Sequence, residues 1–445
     1  MTRHLLSTFT LIALLSTSAP LARPAFALTL DEAISTALAA NPGLEAMRHR
    51  SAAVAAAVQE ARASRYPTLS ASLGYTRTDN PPQAFFMTLN QRQASFERDV
   101  NQPSDTDNFR GSLSASMLLL DGGSRSLATR AASLHHQSAK SHEHAARNDL
   151  VAQVTRAYYH VLQAESLVAV FEETVTSIEA SLRIAQDRFE AGAVNRTDVL
   201  NLDVQLAEAR EQLIRVRHAR QLAVSTLNLA IGESILPHHA TLDHTSLTLT
   251  PPPADLDIHT IVSRPEWTSA GHAVEATRLE AQRPGRDRLP RLSAFGSIDW
   301  DSETLSDPER SYLAGAILEV DIFTGFRRSA EKARAASLQL EAEANLRALE
   351  NQLRLELESA HLSARDAWER IEVSTHRLTS ADEVYRITLE RYQQGAADIT
   401  ELLNAQVSLT QARSHSTSTR FDYAIALADL TRALGATQTA FGDTP

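Results

Sequence analysis

Residues 188–200 read Arg188-Phe189-Glu190-Ala191-Gly192-Ala193-Val194-Asn195-Arg196-Thr197-Asp198-Val199-Leu200. The same design returns at 391–403 as Arg391-Tyr392-Gln393-Gln394-Gly395-Ala396-Ala397-Asp398-Ile399-Thr400-Glu401-Leu402-Leu403. Gly192 and Gly395 lie 203 residues apart, and so do Gly232 and Gly435. Each tip glycine stands alone in a long tract. Gly192 is the only glycine from Ser124 to Ile231, and no proline lies between Pro103 and Pro237. Gly395 is the only glycine from Ser329 to Leu434, and no proline lies between Pro308 and Pro445. Glycine and proline are the main helix breakers. Each tract therefore predicts two long helices meeting at one turn, and the chain is a duplicated unit of such helices.

Working outward, Asn41-Pro42 matches Arg264-Pro265 at a spacing of 223, as does Tyr66-Pro67-Thr68-Leu69-Ser70-Ala71 with Leu289-Pro290-Arg291-Leu292-Ser293-Ala294. Further on, Leu120-Asp121-Gly122-Gly123 matches Ile322-Phe323-Thr324-Gly325 at 202. The drop puts 21 extra residues in the polar, proline-bearing segment Arg77–Asn108, which is expected to be a loop. Thr29-Leu30-Asp31-Glu32 forms a capping box at the first helix, and Ser263-Arg264-Pro265-Glu266 is expected to repeat it.

The expected layout is a leader at 1–27 and a first repeat at 28–250, with strands about 68–77 and 109–120, a long helix 124–191 and a helix 194–231. The second repeat, 251–445, has strands about 291–300 and 311–322, a long helix 326–394, a helix 398–434 and a short C-terminal tail. The helical region Leu30–Arg65 and the helix 194–231, laid end to end, match one long helix. Val199, Leu202, Leu206, Ala209, Leu213, Val216, Ala223, Leu227 and Ala230 form a three-four seam with Arg220 the one exception, repeated by Leu402, Ala405, Leu409, Ala412, Tyr423, Ala426, Leu430 and Ala433 with Ser416 and Thr419 polar. Such spacing suits knobs-into-holes packing, and equally an ordinary antiparallel bundle.

Four segments alternate with a period of two. Leu69, Ala71, Leu73 and Tyr75 oppose Ser70, Ser72, Gly74 and Thr76, and Phe109, Gly111, Leu113, Ala115 and Met117 oppose Arg110, Ser112, Ser114 and Ser116. Leu292, Ala294, Ile298 and Trp300 oppose Ser293, Ser297 and Asp299, with Phe295 out of pattern. Tyr312, Ala314, Ala316, Leu318 and Val320 oppose Gly315, Glu319 and Asp321. One apolar face and one small polar face fit a barrel with lipid outside and water inside. Tyr75, Phe109, Trp300 and Tyr312 cluster at the loop ends, where an interfacial aromatic girdle would lie. Known membrane barrels have at least about eight strands, so four must be completed by other copies.

The address agrees. Arg3 and His4 precede the mostly apolar Leu5–Leu15, and Ala25-Phe26-Ala27 fits a signal cleavage site before Leu28. No later stretch reaches the roughly 20 apolar residues of a membrane-spanning helix. A net charge of −11 argues against a nucleic-acid partner. The chain has no cysteine, hence no disulfide, thiolate site or lipid-anchored mature N-terminus. There is no P-loop, dinucleotide fingerprint, G-x-S-x-G or H-E-x-x-H, so neither catalysis nor a cofactor is expected. His135 and His142 share a helix face at 7 residues, but read as surface residues rather than metal ligands.

In this order, twice over, these features resemble the TolC family of outer-membrane efflux proteins. The likeness runs from Leu28-Thr29-Leu30-Asp31-Glu32-Ala33 to about Gly435. It includes both X-Pro strand starts, the Leu120-Asp121-Gly122-Gly123 strand exit and the paired tips. The resemblance implies a homotrimer: a mainly helical chain whose long antiparallel helices form an α-helical barrel through the periplasm. Four strands per copy, twelve in all, would form a transmembrane β-barrel in the outer membrane of a Gram-negative bacterium. It further implies a periplasmic adaptor and an inner-membrane transporter of the RND, ABC or MFS type, serving efflux or type I secretion. Glu190, Ala191, Gly192, Ala193, Gln394, Gly395 and Ala396 would be the adaptor-contacting tips, and Glu401, Asn404 and Asp198 the candidates for the entrance gate. The other reading is a periplasmic structural coiled-coil or adhesive protein without a pore, which would fractionate as soluble.

Overall fold

The computed structural model describes residues 28–95, 100–232, 242–243 and 249–435. The expected leader, 1–27, and the end of the expected tail lie outside the described residues. The first half runs α1 Leu30–Ala40, α2 Pro42–Ala63, β1 Thr68–Thr78, α3 Pro81–Asn90, β2 Thr106–Leu120, α4 Ser124–Glu190 and α5 Arg196–Ile231. The second runs from a short 3-10 helix, Ile258–Ser263, through α6 Pro265–Arg286, β3 Arg291–Ser302, β4 Glu309–Glu319, α7 Arg327–Gln393 and α8 Ile399–Ala433. The chain is mainly helical with one small antiparallel sheet. Helices α4 and α7 have 67 residues each, about 100 Å at 1.5 Å per residue.

The two long hairpins, α4 with α5 and α7 with α8, pack along α4, and α6 fills the space between α4 and α7. The seam lies inside: Leu202, Leu206, Ala209, Leu213 and Leu227 of α5 and Leu402, Ala405, Leu409, Ala412 and Tyr423 of α8 are buried. The short helices stack end to end. Gly232, at φ 92, closes α5 so tightly on α2 that a Cβ there would meet Asn41 Cα and Pro42 Cδ at 2.8 Å. Asn41 serves both helices. Its Oδ1 accepts from Gly43 N (2.8 Å) and Leu44 N (3.2 Å) of α2, while its Nδ2 donates to Ala230 O of α5 (2.9 Å).

In the second half Arg264 takes that place with different chemistry. Its side chain, 1% exposed, donates to Ala433 O of α8 (3.2 Å), Glu266 Oε1 (2.6 Å) and Glu356 Oε2 (3.2 Å). The capping box forms at Thr29–Glu32, but not at Ser263–Glu266. Ser263 Oγ donates instead to Thr260 O at 2.7 Å, and Glu266 answers Arg264. A buried guanidinium must be matched by carboxylates or it costs several kcal/mol, so the Glu266 carboxylate is drawn to Arg264 and not to the N–H of Ser263.

Two other expectations are corrected. The Arg77–Asn108 segment is not all loop: Asn80 caps α3, and Pro81-Pro82 occupy its first turn, where a missing N–H costs nothing. The strand exits also align one residue later than expected. Gly122 and Gly123 have φ 65 and 86, and their counterparts are Gly325 and Phe326, at φ 61 and 62. The conformation places the repeat spacing here at 203, as at the tips, so the first-half insertion is 20 residues rather than 21.

The sheet has the order β1-β2-β3-β4, all antiparallel. Register aligns Tyr75 with Phe109, Leu113 with Ile298, and Ile298 with Tyr312 on one face. Ser72–Ser112–Asp299 and Ser70–Ser114–Ser297 share the other. The polar face is less uniform than the spacing predicts, because Leu313 and Ile317 of β4 point there with Phe295. Phe295 is explained by its partner: its ring covers Gly315, where a Cβ would lie 2.7 Å from Phe295 Cζ.

Candidate functional site

The helical tips are built by backbone closure. At the first, Ala193 N donates to Arg188 O (2.8 Å) and Gly192 N to Phe189 O (2.9 Å); at the second, Ala396 N donates to Arg391 O (2.8 Å) and Gly395 N to Tyr392 O (3.0 Å). Both are Schellman closures, which require the left-handed φ of 70 at Gly192 and 77 at Gly395. Glu190, Ala191, Gly192 and Ala193, and Gln394, Gly395 and Ala396, are all exposed.

The two tips are not chemically equivalent. Phe189 is 43% exposed, whereas its counterpart Tyr392 is 2% exposed and packs among Ile178, Ala185, Leu202, Leu206 and Leu402. Arg188 crosses from the first tip to the second. Its guanidinium lies 4.9 Å from the centre of the Tyr392 ring and donates to Tyr392 O. A Cβ on Gly395 would come within 3.2 Å of it. Burial raises the Tyr392 hydroxyl pKa, opposed by the Arg188 charge and reinforced by Asp198. That hydroxyl has no hydrogen-bond partner among the described residues.

Of the three gate candidates, Glu401 lies in the first turn of α8. Its N–H donates to Asp398 Oδ1 (2.8 Å), and its carboxylate meets Arg391 at 3.3 Å. Arg391 also donates to Ala396 O at 2.9 Å, so the pair clips the α7–α8 turn within one chain. Asn404, three residues on, is exposed, and Asp198 is partly buried in the first turn of α5. The structure brings Asp198 toward Tyr392. Arg188, Arg391 and Tyr392 were not singled out from sequence. The signal was the divergence of the copies: phenylalanine at 189 against tyrosine at 392.

At the other end of the molecule, Tyr75 and Phe109 stack with ring centres 4.9 Å apart. Trp300 stands opposite Arg310 and Tyr312 opposite Ile298, so all four aromatics share the apolar face. Phe323 and Phe326, with ring centres 5.6 Å apart, and Tyr66 are exposed at the opposite, helix-proximal end of the sheet. His135 Nε2 lies 3.0 Å from Glu280 Oε1, an α4–α6 pair. No helix among the described residues is long and apolar enough to cross a membrane.

Comparison with known proteins places this geometry. Residues 33–233 and 259–436 match the outer membrane efflux protein family. The pyoverdine export outer membrane protein OpmQ of Pseudomonas aeruginosa is 25% identical over 412 residues, covering 91% of this chain and 85% of that protein. Protein CyaE of Bordetella pertussis is 27% identical over 413 residues, covering 87% of this chain and 79% of that protein. The crystal structure of the Campylobacter jejuni CmeC outer membrane channel has the same fold, with a TM-score of 0.81 at 17% identity over 91% of this chain and 85% of that one. The family match covers both halves of the duplication and favours the duct over a poreless periplasmic protein. The chain belongs to the outer membrane efflux protein family and is an outer-membrane channel for efflux or secretion.

Proposed function

We propose that three copies stand side by side, β4 of each pairing with β1 of the next. They would close a twelve-stranded barrel in the outer membrane above a helical tube that crosses the periplasm. The observation that carries this reading is the sheet itself. Among the described residues, strands β1 and β4 each have a neighbour on one side only, and both are exposed along most of their length. An unpaired edge in lipid leaves backbone groups unsatisfied at several kcal/mol each. A head-to-tail contact repeated by rotation removes every edge. Exposed Val204, Leu222 and Leu229 on α5 and Leu340, Leu355 and Leu362 on α7 supply apolar surface for the same side-to-side contact.

In this assembly Tyr75, Phe109, Trp300 and Tyr312 anchor the barrel in outer-membrane lipid at the outer interface. Residues 190–193 and 394–396 meet a periplasmic adaptor, and an inner-membrane transporter of the RND, ABC or MFS type supplies the energy. Glu401, Asn404 and Asp198 line the entrance. The leader 1–27 is removed, leaving repeats 28–250 and 251–445. The duct is passive: cargo is chosen by the pump and conducted by the tube.

The test is the purified protein in detergent, measured for mass by light scattering and for current in a planar bilayer. A trimer with stepwise conductance is expected. A monodisperse monomer without bilayer activity would refute the assembly.

A further inference from the structure

Within the first half's extra segment, helix α3 does not hang free beyond the sheet. Helix α3 and the two residues after it fold back across the sheet's polar face. Gln91, 3% exposed, donates through Nε2 to Asn108 Oδ1 (2.9 Å) and to Asp107 O (2.7 Å). Asn108 passes the chain on, donating from Nδ2 to Asp301 Oδ1 (2.7 Å), and Asp301 is 1% exposed. Arg92 reaches beyond both to the far strand, with Nε 3.2 Å from Glu309 Oε2 and a nitrogen 3.3 Å from Arg310 O. Asn108 lies on the same face of β2 as Arg110, and Arg110 pairs across to Asp301, which pairs to Glu309. All of these are on the face that carries Ser112 and Ser114.

The loop leaves β1 and is tied to β2 by Gln91 and to β4 by Arg92, and Asn108 of β2 links the first of these contacts to β3. Arg92 is one of two non-glycine residues of positive φ among the described residues, at φ 55. A side chain held in that disfavoured region by surrounding contacts marks a position the fold over-determines; glycine would close the helix without strain but could not reach Glu309.

The sides of α3 are also sorted. Ala84, 2% exposed, and Gln91 are seven residues apart, about two helical turns, and face the sheet. Phe86 and Leu89 fall on the opposite side and are 61% and 48% exposed. An aromatic and a leucine thus face away from the polar wall.

We infer that α3 is a strap docked inside the exit mouth, presenting Phe86 and Leu89 to the passing cargo as a hydrophobic constriction. This rests on the barrel reading above, in which the polar face lines the lumen. A narrow apolar ring passes water and ions poorly because it dewets, while apolar and amphipathic solutes cross it readily. Phe86 and Leu89 are then specificity-determining residues of the duct at the end far from the pump.

Two variants test this in planar bilayers. The first replaces residues 79–105 by 303–308, the short hairpin loop of the second half. The second is Phe86→Gln with Leu89→Gln, which changes two exposed side chains and leaves Gln91, Arg92 and the fold in place. Both are expected to raise single-channel ion conductance by about twofold or more, as a dewetted segment fills, and to admit larger neutral polyethylene glycols from the outer side. A conducting wild-type pore whose current and polymer cut-off stay the same in the double glutamine variant overturns the strap alone. A wild type without any current removes the barrel reading, and the strap with it. If the shortened hairpin fails to assemble, the glutamine variant still decides.

Discussion

Glu401 meets Arg391 in the open, each about half exposed, at 3.3 Å. An exposed pair of this kind is worth about 0–1 kcal/mol, so its removal leaves the helices standing. Its electrostatic effect is larger than its energetic one. In a trimer the pair recurs three times around one opening, and Glu401→Ala leaves three uncompensated arginines there. Ion conductance through the entrance is then expected to rise as the α7–α8 clip is released, and preference for cations over anions to fall. Reversal potentials under a salt gradient measure the second and single-channel currents the first; no change in either would remove Glu401 from the gate. The carboxylate was legible in the repeat, because position 401 answers Asp198. Its partner was not, since an arginine ten residues earlier on another helix is brought close only by the left-handed turn at Gly395. Arg188 was hidden for the same reason. Its stacking on Tyr392 joins two hairpins, and no local pattern encodes that contact.

Between elements, the two end-to-end helix junctions do one job in two ways, and they should differ in acid. Asn41 has no titratable group. The α6–α8 junction depends on Arg264 with Glu266 and Glu356. Burial works to raise the Glu266 pKa, but the Arg264 hydrogen bond, a bond from its own backbone N–H and the charges of Arg264 and Arg432 outweigh it and hold the carboxyl below its usual value. A carboxyl depressed on folding stabilises fully above its unfolded value, about 4.3, and that contribution is lost as pH falls through the lower folded value. Thermal stability should therefore fall below about pH 4. Glu266→Gln should lower the neutral-pH melting temperature and flatten that acid limb. A melting series against pH in detergent reads both, and an acid limb of unchanged slope would place the sensitivity elsewhere. The elements were legible to within a few residues wherever breakers bounded them. Helix α3 was not, because Asn80-Pro81-Pro82 carries the composition of a turn and the geometry of a helix start. The second capping box was misread because Ser263 and Glu266 have the right spacing, while burial of Arg264 overrides it.

For the whole molecule, the issue is what covers the outer edges of β1 and β4. In an isolated four-stranded sheet, successive N–H groups of β4 alternate between β3 and solvent. Proline at a solvent-facing N–H is tolerated on an edge strand, and proline facing the neighbour is not. In a closed barrel both directions are occupied, so the alternation disappears. Leu313→Pro and Ala314→Pro probe the two directions at adjacent residues. If β4 pairs with β1 of the next copy, each removes a ladder hydrogen bond in every copy and blocks detergent-resistant trimers. If β4 is a true edge, one of the two variants assembles and inserts like the parent. The comparison needs no knowledge of which residue faces outward, because only the symmetry of the two results matters. It also separates the membrane barrel from the helical tube. Side-to-side packing of α5 against α7 could hold three copies together without the sheets joining, but it would leave one of these two prolines harmless.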